Sequence, residues 1–93
     1  IRPSDYVIAL EIGGRRMGSE AFAAFLERTA ASGKSTIDFV IGGSLGLSPE
    51  VSRRADVSLS FSDFTLCHQL MRVILLEQVY RAFKILANEP YHK

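Results

Sequence analysis

The last residues of the chain bring together three side chains that can do chemistry. Tyr91, His92 and Lys93 supply an aromatic ring, an imidazole and a cation, directly after Pro90 has ended any preceding helix. Such a set suits stacking on a base, proton transfer and contact with a phosphate. Chain ends also commonly fray without any role. The residues alone therefore leave both interpretations of the tail open.

A second pair of candidates, His68 and Arg72, lies four residues apart near the start of a predicted long helix. Arg72 falls among apolar positions, where a guanidinium needs an anionic partner. That partner is either a carboxylate or phosphate of a ligand or RNA, or a structural acid such as Asp63 or Glu77. His68 is equally well an ordinary histidine of the first helical turn.

Two polar loops follow strand-like runs. Residues 42–47 (GGSLGL) precede a helix start, where glycines let a backbone approach a nucleotide closely. The spacing matches neither the dinucleotide fingerprint nor a phosphate-binding P-loop, so a plain turn explains it as well. The second loop, residues 61–66, similarly either wraps a ligand or merely connects two elements.

Strand-like and helical segments alternate along the chain, which predicts an α/β fold with a parallel sheet flanked by helices. Ligand sites in such sheets lie just past the carboxyl ends of the strands. The two loops are therefore the places to search. The predicted strands are 6–11, 36–41 and 57–61; the predicted helices run from an N-cap at Ser19 to Gly33, from Ser48 to about Ala55, and from about Cys67 to Ala87.

The last predicted helix is apolar around most of its circumference, with a polar arc formed by Gln69, Glu77, Arg81 and Lys84. A small domain has little with which to cover so wide an apolar surface. A second subunit is the simplest explanation. The alternative is a helix that is central within one monomer.

Composition excludes several classes of protein. The 93 residues are 47% hydrophobic and 23% charged, which predicts one folded domain rather than a disordered chain. The net charge of +1 gives no overall basic field, so any affinity for RNA must come from local clusters. The single cysteine, Cys67, excludes an internal disulfide and a multi-cysteine metal site. No apolar run is long enough to cross a membrane and no export signal is present, which favours the cytoplasm.

Four segments of the sequence resemble the RlmH family of SPOUT methyltransferases, and the resemblance covers essentially the whole chain. They are 39–48 (FVIGGSLGLS), 59–62 (LSFS), 65–85 (TLCHQLMRVILLEQVYRAFKI) and 90–93 (PYHK). Cys67 stands where the family usually has proline. The chain begins with Ile1 rather than Met, and the resemblance implies that an N-terminal strand and helix of the family are missing. Residues 1–93 are thus interpreted as a single, N-terminally truncated SPOUT domain.

The resemblance implies an enzyme that uses S-adenosylmethionine, yields S-adenosylhomocysteine and needs no metal. Its substrate would be N3 of a pseudouridine in 23S ribosomal RNA, methylated by a homodimer on the assembled ribosome. The family's C-terminal part forms a trefoil knot, a rare exception to ordinary chain topology. Two rivals remain: a non-catalytic ribosome- or RNA-binding fragment, and a nucleotide-binding α/β domain outside the knotted class. Donor affinity separates the first rival from the enzyme.

The family's functional positions can be carried over one by one. The methyl donor would be bound at the end of the first strand, in the glycine loop and in the last loop. The RNA, or the donor held by the partner subunit, would face the tail and the start of the long helix, with His92 or Tyr91 taking the N3 proton. The expected donor residues are Leu10, Gly42, Gly43, Phe61, Ser62, Asp63, Phe64, Thr65 and Leu66; the expected catalytic residues are His92, Tyr91, Arg72 and His68.

Overall fold

The alternation of strands and helices is confirmed in a computed structural model, which describes residues 1–42, 47–61 and 66–91, apart from the side chains of Ile12 and His68. The α/β class predicted from the sequence is therefore correct. In chain order the elements are β1 (Tyr6–Arg15), α1 (Ser19–Ala31), β2 (Ile37–Ile41), α2 (Pro49–Arg54), β3 (Val57–Leu59) and α3 (His68–Leu86).

The described strands form one parallel sheet in the order β2-β1-β3. The central strand β1 pairs with β2 from Tyr6 to Leu10 and with β3 from Ile8 onwards. Its residues Val7, Ile8 and Ala9 are completely buried. An apolar, β-branched run covered on both faces is what a parallel sheet requires of its central strand.

The first strand is longer than the sequence predicted. It does not end at Glu11 but continues through Gly13 and Gly14 to Arg15, which pairs with Leu59 after an irregularity in the register. Gly13 has a φ of 86°, a conformation that costs glycine little. A Cβ on Gly14 would lie 2.8 Å from the backbone carbon of Leu59, so only glycine allows this close crossing. The pairing beyond Gly14 depends on backbone geometry that residue types do not reveal.

The helix boundaries mostly follow the sequence prediction, with one correction. Gly18, not Ser19, occupies the N-cap position of α1. At α2 the predicted cap is correct, since the Val51 amide donates to the Ser48 hydroxyl at 3.3 Å. Cys67 caps α3 with a φ of −67° and ψ of 149°, angles that a proline also adopts. The departure of Cys67 from the family pattern therefore leaves the backbone at the start of α3 undisturbed.

The hydrophobic core lies between the sheet and the pair α1 and α3, which pack against each other. Phe22 and Phe25 of α1 meet Leu75 and Ala82 of α3 over the central strand. None of the described helices, α3 included, is both long and apolar enough to cross a membrane. The remaining face of α3 carries no described part of the core.

The amino end of the sheet is tied by hydrogen bonds to backbone groups. The Arg54 guanidinium donates to the carbonyl oxygens of Arg2, Pro3 and Asp5 at 2.9, 3.3 and 2.8 Å. The Asp56 carboxylate accepts from the buried Val7 amide at 2.7 Å. Together these contacts fasten the first residues and β1 to the segment between α2 and β3.

A second polar contact at this end joins two carboxyl groups. Asp5 is buried and accepts from the Arg2 amide at 3.0 Å, and that bond is the main reason its pKa lies below the usual value. The pKa of Asp38 is raised, chiefly by its hydrogen bond with the Asp5 side chain. As the pH rises, Asp5 therefore ionises before Asp38.

Candidate functional site

The carboxyl edge of the sheet gathers three of the residues expected to bind the donor. Leu10 pairs with Ile41 of β2 on one side and with Leu59 of β3 on the other. Gly42 directly follows Ile41, and Phe61 lies two residues past Leu59. The parallel register thus brings Leu10, Gly42 and Phe61 to the same edge. Gly43 and residues 62–65 lie outside the described residues, while Leu66, which is described, is half-buried.

A cleft of about 190 Å³ opens beside Phe61, between the start of α1, the end of β3 and α3. Met17, Phe22, Phe61 and Ile74 give it an apolar wall. Its polar side is formed by Ser19, whose hydroxyl donates to the Gln78 amide oxygen at 2.6 Å. Sequence reasoning missed this cleft, because the Ser19 and Gln78 side chains meet across 59 positions and no local pattern indicates such a contact.

Glu11, the residue after Leu10, joins three elements next to the same edge. One of its carboxylate oxygens accepts from the Ser52 hydroxyl of α2 at 2.9 Å, and the other accepts from Ser58 of β3 at 2.7 Å. These bonds hold α2, which follows the glycine loop, against the sheet. The sequence offered only a weak signal for this role, an acid at the end of an apolar strand.

Arg72 lies on the surface of α3 and not in an apolar environment. Among the described residues Arg72 forms no ion pair with Glu77, which pairs with Arg81 at 2.8 Å. Asp63, the other acid considered as its partner, lies outside the described residues, as does the His68 side chain. Within residues 1–42, 47–61 and 66–91, no acidic side chain pairs with the Arg72 guanidinium.

The outer face of α3 carries large apolar side chains that the described chain leaves uncovered. Val73 is 62% exposed, Leu76 69%, Tyr80 51% and Phe83 66%. These residues recur at helical spacing on one side of α3. The alternative of a helix central within the monomer is therefore wrong.

Tyr91 folds back onto α3 instead of pointing away from it. Its hydroxyl donates to the Glu77 carboxylate at 2.9 Å, and its ring stands perpendicular to that of Tyr80 with 5.0 Å between centroids. The Arg81 guanidinium lies 4.9 Å from the centre of the Tyr91 ring. The hydrogen bond to a carboxylate raises the pKa of Tyr91 because it holds the phenolic proton. His92 and Lys93 lie outside the described residues.

Curated relatives share high identity with the whole chain. The chain is 60% identical over all 93 residues to "Ribosomal RNA large subunit methyltransferase H" of Lactiplantibacillus plantarum (strain ATCC BAA-793 / NCIMB 8826 / WCFS1). Proteins of the same name from Carboxydothermus hydrogenoformans (strain ATCC BAA-161 / DSM 6008 / Z-2901) and Bacillus thuringiensis (strain Al Hakam) are 58% and 61% identical over the same length. In each case the chain spans 58% of the relative. The resemblance to the RlmH family is thereby confirmed.

A family model also matches almost the whole length of the chain. The model described as "Predicted SPOUT methyltransferase" matches residues 1–92. This match covers the sheet, the cleft and the outer face of α3, so it does not depend on one motif. With the parallel sheet and the clustered strand ends, it shows that the chain belongs to the SPOUT methyltransferase family.

Proposed function

We propose that this chain carries the catalytic part of an S-adenosylmethionine-dependent methyltransferase that acts on N3 of a pseudouridine in 23S ribosomal RNA. The observation that carries the proposal is the convergence of Leu10, Gly42 and Phe61 at one edge of a parallel sheet. Ligands of open α/β sheets bind at that edge. The names of the relatives, which describe methyltransferases of large-subunit ribosomal RNA, support the substrate class.

The described residues fit a donor of this kind. Gly42 has no side chain, so an adenosine can approach the backbone after β2. The cleft beside Phe61 adds an apolar wall next to the same edge. Gly43 and residues 62–66 would complete the binding loops in this proposal. The donor supplies a methyl group activated by its sulfonium, and no metal is required for that chemistry.

The protein would contribute alignment and removal of the N3 proton. Of the two candidate bases we favour His92, because the described contacts of Tyr91 argue against Tyr91 as the base. Tyr91 donates its proton to Glu77 and has a raised pKa, so it is a poor acceptor at neutral pH. Arg72, exposed on α3, is suited to an RNA phosphate, with His68 one turn before it.

A homodimer would cover the outer face of α3. Val73, Leu76, Tyr80 and Phe83 form an uncovered apolar stripe, and such stripes mark association surfaces. In this proposal the site is shared between subunits, so the tail and Arg72 of one face the donor of the other. The trefoil knot, the assembled ribosome as substrate and the cytoplasmic location belong to the same proposal.

The direct test is calorimetric titration of the chain with S-adenosylmethionine, followed by transfer of labelled methyl groups to ribosomes that lack the modification. We expect saturable binding, lost in Gly42→Leu because the new side chain fills the backbone approach. Ala30→Leu, which places the same side chain on the exposed surface of α1, should bind normally.

The outcomes distinguish the proposal from its rival. Binding with methyl transfer that is lost in His92→Ala supports both the enzyme and its base. RNA binding without donor binding would replace the enzyme with a non-catalytic RNA-binding module. Full transfer by His92→Ala would remove His92 as the base.

A further inference from the structure

One carboxylate on α3 receives more hydrogen bonds than a helix surface requires. Glu77 accepts from Arg81 Nη2 at 2.8 Å and Nε at 3.4 Å, from Gln78 Nε2 at 2.9 Å and from the Tyr91 hydroxyl at 2.9 Å. An ordinary ion pair between helical neighbours uses one partner four residues away. Here three side chains converge on one acidic group.

Only one of these bonds reaches beyond the helix, and it fixes the tail. Tyr91 is 14 positions from Glu77 and returns to it after a reversal at Asn88, whose φ is 58°. The Glu89 amide closes this reversal on the Lys84 carbonyl oxygen at 2.8 Å. Hydrogen bonds from Arg81 and Tyr91 keep the pKa of Glu77 below its usual value, so the carboxylate is ionised at neutral pH.

The same group of side chains also adjoins the cleft. Gln78, which donates to Glu77, accepts from Ser19, and both Gln78 and Ser19 line the cleft beside Phe61. The Tyr91 hydroxyl is therefore two hydrogen bonds, through Glu77, from the cleft-lining side chain of Gln78. Tyr91 is joined directly to His92 in the sequence.

We propose that Glu77 is a positioning residue, which holds Tyr91 against α3 and so fixes the point at which the proposed catalytic tail begins. This role rests on the proposed methyltransferase function. Glu77 does not itself touch substrate or donor, and Gln78 separates it from the cleft. Its loss should therefore affect the rate of methyl transfer and leave donor affinity unchanged.

The test compares Glu77→Gln with Glu89→Gln in the same chain. The control removes a carboxylate near the tail that pairs with Lys84 at 2.6 Å. Glu89 bonds Tyr91 through its backbone carbonyl oxygen, which accepts from the Tyr91 amide at 2.9 Å, and the variant keeps that bond. Three quantities are measured: tyrosine ionisation by ultraviolet absorbance, the Kd for S-adenosylmethionine, and kcat for methyl transfer. The chain contains only three tyrosines and no tryptophan, so one tyrosine transition is resolvable.

For Glu77→Gln we expect one tyrosine to ionise at lower pH, nearer the ordinary value of about 10. We expect kcat to fall about tenfold or more, because misplacement of a catalytic group is costly, while Kd stays within about twofold. Glu89→Gln should change none of these quantities. Tyr91→Phe should lower kcat similarly, and the double variant should show little further loss.

The results separate this inference from the function on which it rests. A Glu77→Gln variant with unchanged tyrosine ionisation and unchanged kcat would overturn the positioning role while methyl transfer by the unaltered chain stands. Weakened donor binding with unchanged kcat would also overturn it, because the effect would then lie in the cleft. Absence of transfer by the unaltered chain overturns the function and the catalytic role together, and the tyrosine titration still decides whether Glu77 anchors Tyr91.

Discussion

The two ends of the sheet are built in different ways. At the amino end, Arg54 and Asp56 hold backbone groups of the first residues and of β1. At the carboxyl end, the described residues form a cleft and place Gly42 and Phe61 past their strands. The difference indicates that stability is concentrated at the end where no ligand is expected. The other end is then left free to present backbone and loops to a ligand.

The largest expected effect concerns a residue that belongs to the core and also lines the cleft at the carboxyl end of the sheet. Leu59 is 1% exposed, belongs to the core and lines the cleft. Leu59→Ala should lower the free energy of unfolding by about 2–5 kcal/mol, because it removes apolar contacts and leaves a cavity. Urea denaturation measures the change. Leu86→Ala, at a position that is 38% exposed, should cost less, and equal costs would contradict the core assignment.

A second substitution tests how tightly the carboxyl end is constrained. Gly14→Ala places a Cβ within 3.0 Å of the backbone of Ser58 and Leu59, so the ends of β1 and β3 must move apart. We expect a loss of about 2–3 kcal/mol in urea denaturation. Gly18→Ala is the matched control, because a Cβ there meets nothing within 4 Å. If both variants were equally stable, the close crossing would be wrong.

A third substitution tests whether the amino end serves stability alone. Asp56→Ala leaves the buried Val7 amide without its carboxylate acceptor and should cost about 1–2 kcal/mol. Donor affinity of the folded protein should not change. Asp56→Asn keeps an acceptor oxygen and should be closer to the unaltered chain. A selective loss of donor binding in Asp56→Ala would show that the two ends are coupled.

The smallest expected effect is a change in the pH dependence of the free energy of unfolding. Since the pKa of Asp38 is raised in the folded chain, its stabilising contribution is present below the usual value of 3.8 and is lost as the pH rises through the raised value. Asp5 has the opposite sign: its contribution is lost as the pH falls through its lowered pKa. Asp38→Asn cannot titrate, so it should remove the first change and retain the second. Urea midpoints measured from about pH 3 to pH 7 would show this, and parallel curves for the two proteins would contradict the raised pKa of Asp38.

Most of the fold follows from local sequence patterns. The buried run from Tyr6, the cap at Ser48 and the long apolar helix all correspond to elements near their predicted bounds. Local patterns gave wrong predictions where contacts between segments distant in sequence determine the structure. The continuation of β1 to Arg15 depends on its crossing with Leu59, and the loss of Ser19 as a cap accompanies its bond to Gln78.

The candidate site was only partly accessible from the sequence. The rule that ligands bind at the carboxyl ends of parallel strands located Gly42 and Phe61 correctly at one edge. It could not reveal the cleft, or the three side chains that meet at Glu77, because both depend on how α1, α3 and the tail pack. The roles of the donor and tail residues came from family resemblance and remain predictions.

The strand order also has a kinetic consequence. With β1 in the middle, Val7 and Asp56, which are 49 residues apart in sequence, must meet before β3 can be held at the sheet. Closing so long a loop is slow compared with forming α1 beside β1, so β3 should dock late in folding. Because Phe61 and the cleft depend on β3, refolding experiments should recover helical signal before they recover a ligand-binding surface.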